Sequence, residues 1–176
     1  MSATPPMPTP GSSRQDYGTP QEFLLSVKTL LQITSFWKDL AASPENAVAS
    51  RYYTVDNDAL LIRNGWESPY FGWNWLNMPF RKIEPWVEKA HQTESVGNHA
   101  VLVPASVGSA WWRKWVHRKA TVLFLEGRLT FVGEIDPYPK DCALLLYPFG
   151  KGLTRFGSTV HHYNVWDWRK KEVYLA

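Results

Sequence analysis

The sequence contains one cysteine, Cys142, in 176 residues, so it can form no internal disulfide and no cysteine-rich zinc or iron–sulfur site. A lone thiol favours a reducing compartment, and a cytoplasmic location is expected. Long apolar runs are also missing. Residues 100–103 and 143–146 fall far short of the roughly 20 residues needed for a membrane-spanning helix, so no membrane association is expected. Charge of one sign is scarce: 19 basic residues stand against 16 acidic ones, a formal net charge of +3. That balance permits a polyanionic partner without requiring one. Glycine-rich loops are absent, which leaves a phosphate cradle for a nucleotide unsupported. His161 and His162 have no acidic or cysteine set nearby, and no metal site is expected.

What the chain has in excess is aromatic: Trp 10, Tyr 8 and Phe 8, with Pro 13. Such rings fill cores, stack on bases, or divide between the two tasks. Residues 1–16 combine proline, serine and glycine without a basic stretch leading into an apolar one. They read as a flexible tail rather than a signal peptide. Residues 17–176 are expected to form one compact domain, because the chain is short for two.

Thr19, Pro20 and Glu22 stand in the order of a helix N-cap, a proline at N1 and the acidic partner of a capping box. Phe23, Leu24, Val27, Leu30 and Leu31 follow at helical spacing. A strand over 35–40 is then expected to present Asp39 at the start of a loop, and Ser43 with Pro44 signals a second helix. Further strands are expected over 52–55, 70–76, 99–103, 121–125 and 142–147, and helices around 83–90 and 111–116. No internal repeat is evident. Nearly continuous apolar strands alternating with helices imply an α/β fold, a parallel or mixed sheet covered on both faces. Functional groups in such folds collect outside the carboxyl ends of strands. Asp39, the Asp56 and Asp58 region and residues 77–80 are all expected there.

The chemistry concentrates in Asn77-Met78-Pro79-Phe80. Asn77 Oδ1 and a nearby backbone carbonyl can accept hydrogen bonds from the exocyclic amine of a base while Phe80 stacks on its ring. An amine held so presents its lone pair to an electrophilic methyl group, with catalysis coming from orientation and charge stabilisation. The plainer reading is a strand-ending turn with Phe80 in the core. Arg81 and Lys82 just beyond, and Arg113, Lys114, Arg118 and Lys119 around the tryptophan-rich helix, can contact phosphates or form a solvated face. Trp111, Trp112 and Trp115 cannot share one narrow stripe, so at least one is expected to face a partner or another part of the core. Trp37, Trp73, Trp75 and Trp86 are expected in the core.

The ordered set Gly18-Thr19-Pro20, residues 39–46, Asp58-Ala59-Leu60, Trp66, residues 77–80, residues 86–90, Leu102-Val103-Pro104 and residues 127–131 resembles the phage-type DNA N6-adenine methyltransferases. The resemblance covers roughly Tyr17 to Phe149. It implies a compact S-adenosylmethionine-dependent methyltransferase with a Rossmann-like sheet and helices on both faces, acting on adenine in double-stranded DNA, in a bacterial or phage-infected cell, as a monomer or homodimer. In that family the amino-adenine motif is an acidic residue or asparagine, two prolines and an aromatic residue. Asn77, Pro79 and Phe80 match it, and Met78 replaces the first proline. These three are the implied catalytic residues.

The resemblance further implies that Thr19 and Pro20 lie on the cofactor side. Asp39 matches the acidic position that could meet the cofactor's ammonium group directly or through water. Asp58 is implied near the cofactor's ribose or adenine, the alternative being a solvated turn. Asn46 either caps a helix or faces the cofactor. Arg128, in the late Gly-Arg motif, either meets DNA, braces a loop or forms a structural ion pair. Because S-adenosylmethionine carries no phosphate, the missing glycine-rich loop fits it better than a dinucleotide. Two alternatives differ in chemistry: a cytosine N4-methyltransferase, and a DNA-binding protein that keeps the fold without the activity.

Overall fold

The central strands are apolar at both alternating sets of positions, so both faces of their sheet must be covered. The computed structural model describes residues 18–54, 60, 64–151 and 163–174. Among them the strands are β1 (Lys38–Ala42), β2 (Tyr52–Thr54), β3 (Trp73–Leu76), β4 (Asn98–Pro104), β5 (Thr121–Leu125), β6 (Cys142–Tyr147), β7 (Tyr163–Asp167) and β8 (Glu172–Tyr174). The helices are α1 (Gln21–Leu31), α2 (Glu84–Gln92) and α3 (Ala110–Trp115). The strands form one mixed sheet in the order β2-β1-β3-β4-β6-β5-β7-β8. β1 to β4 are parallel, β6 runs antiparallel between β4 and β5, β7 is parallel to β5, and β8 pairs antiparallel with β7.

Period-two alternation separates two cores. Ala100 and Leu102 of β4, with Leu144 and Leu146 of β6, join Phe23, Leu24 and Val27 of α1 on one face. Val101, Val103, Ala143 and Leu145 join Trp86, Val87 and Ala90 of α2 and Trp112 of α3 on the other. Helices thus cover both faces, which is the Rossmann-like methyltransferase arrangement that the sequence implies.

Several local expectations are corrected. Thr19 does not cap α1: Pro20 occupies the cap position without a side-chain bond, and its carbonyl accepts the Leu24 N–H at 3.1 Å. No helix follows Ser43 and Pro44. Asn46 Oδ1 instead accepts the Ser43 N–H at 2.6 Å, closing a turn in place of a helix start. Asp39 is the second residue of β1, not a strand-end residue, because the strand runs on through Ala41 and Ala42. β7 and β8 were not anticipated; Asp167 Oδ1 accepts the N–H groups of Arg169 and Lys170 and makes the turn between them.

Two buried polar clusters hold the loops at the amino ends of β3 and β4. Asn98, 4% exposed, donates from Nδ2 to the carbonyls of Tyr70 at 2.9 Å and Gly72 at 2.8 Å, and accepts the Phe149 N–H at 2.7 Å. Removing this side chain orphans buried backbone groups at about 1–3 kcal/mol apiece. Asn98→Ala is therefore expected to lower unfolding stability by roughly 3 kcal/mol, read as a lower urea midpoint at unchanged slope. A shift close to zero would show that water replaces the carboxamide.

The second cluster centres on His99, which is fully buried. Thr93 Oγ1 donates to the Lys89 carbonyl at 2.8 Å and lies 2.9 Å from His99 Nε2. With its proton so committed, the hydroxyl accepts from Nε2–H. His99 Nδ1 then accepts from Asn74 Nδ2 at 3.3 Å, and Asn74 Nδ2 also reaches the Trp66 carbonyl at 2.7 Å. A second ring proton would point at a donor. Burial, with Lys38 adding repulsion, pushes the imidazole down to about 4, so His99 is neutral near pH 7.

Candidate active site at the carboxyl ends of β1 and β3

β1 has β2 on one side and β3 on the other, so the chain reverses its direction of travel across the sheet between β1 and β3. Open α/β sheets bind ligands outside the carboxyl ends of strands at such a switch point. Asn74 pairs with Lys38 and Trp75 with Asp39. Continuing that register sets the Ala41 and Ala42 end of β1 beside Asn77, the first residue after β3.

Asp39 is 3% exposed. Its Oδ1 accepts the Ala41 N–H at 3.2 Å and its Oδ2 the Val48 N–H at 3.1 Å. One carboxylate therefore ties the end of β1 to the far side of the 43–48 turn. Burial pushes its pKa up to about 6 although both backbone bonds favour the anion. Asn46 sits in the same turn on the Ser43 N–H. Each Asp39 oxygen keeps a second lone pair for another donor. Asp58, along with Asp56, lies outside the described residues.

Residues 77–80 alternate in environment. Met78 is 2% exposed in the α2 and α3 core, so this thioether takes a packing position that flexible apolar side chains fill well. Asn77, Pro79 and Phe80 are half-buried. Asn77 Nδ2 donates to Thr19 Oγ1 at 3.0 Å, joining positions 58 residues apart in sequence. Phe80 meets Phe131 at 6.0 Å and Tyr138 at 5.5 Å between ring centroids, both edge-to-face, and Phe131 and Tyr138 meet at 5.6 Å. The segment bearing these two rings also forms an isolated bridge to Gly18, just ahead of α1, since the Val132 N–H donates to the Gly18 carbonyl at 2.9 Å. Gly18 is small for this reason: a Cβ there would lie 3.1 Å from Val132 Cβ.

Three stretches, 18–20, 77–80 and 129–138, thus close on one another in pairs. Thr19, Pro20, Asn77, Pro79 and Phe80 come together. Phe131 and Tyr138 join them, although their positions carry no sequence signal for the site. Phe131 closes the Gly-Arg motif, whose sequence signal is Arg128. That arginine is exposed, with its Nε 3.5 Å from Asp141 Oδ1. Gly127, at φ +78°, is packed beneath Arg169, whose Nη1 would lie 2.5 Å from a Cβ there.

The basic candidates lie close to this cluster. Arg81 and Lys82 are exposed directly after Phe80. Glu84, two residues on, receives Lys114 Nζ at 3.3 Å and Trp115 Nε1 at 3.2 Å. That carboxylate joins α3, with exposed Arg113 and Lys114, to the start of α2. Lys114 and Lys119 each lie 4.8 Å from the Trp115 ring. Trp112 is buried and Trp111 partly so, which resolves how three close tryptophans divide between core and surface.

A model of the family described as DNA N-6-adenine-methyltransferase (Dam) matches residues 7–141. The chain belongs to this Dam family. The match takes in all three converging stretches and stops one residue before β6. A DNA N-6-adenine-methyltransferase of Escherichia phage T1 is 28% identical over 126 residues, covering 69% of this chain and 49% of that protein. The chain therefore spans about half the length of this Dam relative. No solved structure matches the chain. Among the described residues of this Dam-family chain, no group of His, Cys, Asp and Glu could hold a metal ion, and no helix is long and apolar enough to cross a membrane.

Proposed function

We propose that the protein is a DNA adenine N6-methyltransferase that transfers a methyl group from S-adenosylmethionine to the exocyclic amine of adenine in double-stranded DNA. The observation that carries this reading is the convergence of Thr19, Asn77 and Phe80 at the switch point of the sheet in a Dam-family chain. In this reading Asn77 Oδ1 accepts one amine proton of the flipped base and Phe80 stacks on its ring. Stacking of this kind contributes about 1–3 kcal/mol per base. Pro79 fixes the backbone between them. Holding the amine at a carbonyl oxygen keeps its nitrogen aimed at the electrophile and favours the positive charge that develops there. The nitrogen would gain the methyl group as the methyl–sulfur bond breaks and S-adenosylhomocysteine leaves, and would release one proton to solvent. Arg81, Lys82, Arg113 and Lys114 contact phosphates and fix the register of the duplex, with Arg128 on the neighbouring segment.

The residues present fit S-adenosylmethionine. The group supplies, when bound, an electrophilic methyl on a sulfonium. Its ammonium matches the buried Asp39 carboxylate, while small Ala41 and Ala42 permit close approach and the lack of a phosphate cradle is no obstacle. Thr19, Pro20 and Asn46 are proposed for the same side, and Asp58 for the ribose or adenine.

Asp39 is ionised above about pH 6. Protonation removes both the attraction for an ammonium and part of the hold on the 41–48 loop. Cofactor affinity is accordingly expected to fall as pH drops through 6. Calorimetric titration with S-adenosylmethionine at several pH values checks this, and an affinity level from pH 7.5 down to 5 would exclude Asp39 as the charge partner.

Transfer of tritiated methyl to DNA, followed by nucleoside analysis, tests the function. N6-methyladenine is expected. N4-methylcytosine would move the substrate to cytosine. No transfer across diverse duplexes by a protein that binds the cofactor would overturn the assignment.

A further inference from the structure

We infer that the part of the sheet face left open beside α3 is a second nucleic-acid site, where Tyr163 and Phe124 stack on unpaired bases of single-stranded DNA. The inference goes beyond the proposed methyl transfer and does not rest on it. The cover that α2 and α3 give this face ends toward β7 and β8. On the opposite face Trp166 of β7 is buried in the α1 core and Val173 of β8 packs against that core. On the α3 face, Val165 is 44% exposed and Tyr174, its cross-strand partner, 47%.

Between that open edge and α3 stand Phe124 of β5 and Tyr163 of β7, both half-buried against the α3 core. The register that pairs Val122 with Tyr163 and Phe124 with Val165 sets the two rings diagonally side by side. Three rings lie nearly parallel in a row: Trp112 and Phe124 are 6.1 Å apart at 10°, and Phe124 and Tyr163 are 6.0 Å apart at 18°. Trp112 ends the row in the core. At the other end the exposed His117 imidazole lies 6.0 Å from the Tyr163 ring, with the Tyr163 hydroxyl 2.7 Å from His117 Nδ1. That contact fixes the ring before a ligand arrives, so stacking on it costs little further ordering.

The charges on this face are separated along the strands. Tyr163 opens β7 beside the start of β5, next to the turn that leads from α3 into β5. Arg118 is exposed in that turn, at φ +59°, and Lys119 follows it. The acidic groups, Glu126 just after β5 and Glu172 opposite Asp167, lie toward the other end of the same strands. Glu172 there accepts from the Tyr174 hydroxyl at 3.1 Å. Aromatic faces bordered by cations on a sheet surface suit the bases and phosphates of a single strand. A fully paired duplex offers these rings no free base face. A second copy of the chain would bring its own Arg118 and Lys119 to the same surface. DNA is the strand that a Dam-family chain calls for, whereas Tyr163 lies outside residues 7–141 that match the family.

The test measures fluorescence anisotropy of a labelled oligothymidylate of about 15 nucleotides against the full chain, beside a fully paired duplex of the same length. Tyr163→Leu keeps apolar cover over Phe124 and removes the flat ring. It should weaken single-strand binding about fivefold or more and leave duplex binding within about twofold. Arg118→Ala should weaken single-strand binding as well, and flatten its log–log salt dependence by about 0.7. No single-strand binding by the unaltered protein at low salt, or equal losses on single strand and duplex in Tyr163→Leu, would overturn the inference.

A readout on the unaltered protein guards against variants that misfold. An oligonucleotide carrying 5-iodouracil should crosslink under long-wavelength light to Tyr163, Phe124 or His117, located by mass spectrometry of the peptides. Crosslinks confined to other residues would overturn the site. Sedimentation in the absence of DNA covers the protein-partner outcome: a dimer that Tyr163→Leu dissociates would make this face an interface between copies and overturn the inference. Single-strand binding at this face without methyl transfer to any duplex would count against the proposed function alone.

Discussion

Replacing Asn77 by alanine is expected to lower kcat for methyl transfer by about a hundredfold to a thousandfold, the range found when one preorganised polar contact to a reacting group is removed. The fold should survive. Asn77 is half-buried at the end of β3, while the neighbouring Met78 supplies the core contacts. Cofactor affinity should also survive, because Asp39 and the 41–48 loop are held by bonds that do not involve Asn77. The expected signature is therefore a loss in kcat with cofactor binding intact, measured with tritiated-methyl transfer and calorimetry side by side. A kcat within a few-fold of the unaltered protein would remove Asn77 from the proposed chemistry and leave the backbone carbonyl as the amine's partner.

The second large effect concerns acid. Burial pushes His99 down to about 4 in the folded chain, against an ordinary imidazole value of 6.5. The unfolded chain thus binds a proton first, and stability is lost as pH falls from about 6.5 to 4, by about 3 kcal/mol at 1.36 kcal/mol per unit. Asp39 works in the opposite sense. Burial pushes it up to about 6 in the folded chain against an ordinary carboxyl value of 3.8, so the folded chain binds a proton first and stability is regained over nearly the same interval, again by about 3 kcal/mol. The two contributions offset one another, and the pair should leave stability nearly level from pH 6 to 4.

Asp39→Asn removes one half of the balance. Its stability should then decline by about 3 kcal/mol between pH 6.5 and 4 relative to the unaltered protein. Urea unfolding at pH 7, 5.5 and 4.5 checks the slopes, and parallel slopes for the two proteins would show that the offset does not exist. A reversed experiment, replacing His99, is less clean because it also breaks the contacts to Asn74 and Thr93.

Much of the fold was legible because its signals are local. Five strands and three helices lie where apolar periodicity puts them, and β1 is displaced from residues 35–40 to Lys38–Ala42. Residues 163–174 were missed because β7 and β8 are short, carry polar residues such as Asn164 and Glu172, and depend on the Asp167 turn and on β5 for their pairing. The helix expected after Pro44 failed because start signals do not make a helix without an apolar face to bury. Val48 and Ala49 instead pack against the α1 core, and Arg51 accepts the Asp39 N–H as the chain enters β2.

The site divides in the same way. Asn77, Pro79 and Phe80 are adjacent in sequence, so their chemistry could be read directly. The bond between Asn77 and Thr19 could not, because a threonine before a proline and a helix reads first as a cap. Nor could the contacts of Phe80 with Phe131 and Tyr138, because the aromatic residues that make them lie about 50 residues away and a ring at those positions reads equally well as core.

The pairing of Gly18 with Val132 has a consequence for how the protein is made. Closing the site requires residues near the beginning, the middle and position 138 of the chain, and each such closure carries a loop-entropy cost that is met only when the sheet between them has formed. A chain emerging from the ribosome can build α1 and the first parallel strands early, yet it holds no assembled site until Tyr138 is free to fold. The Gly18 carbonyl must meanwhile bond water, so the site closes only after the segment carrying Val132 and Tyr138 has been made.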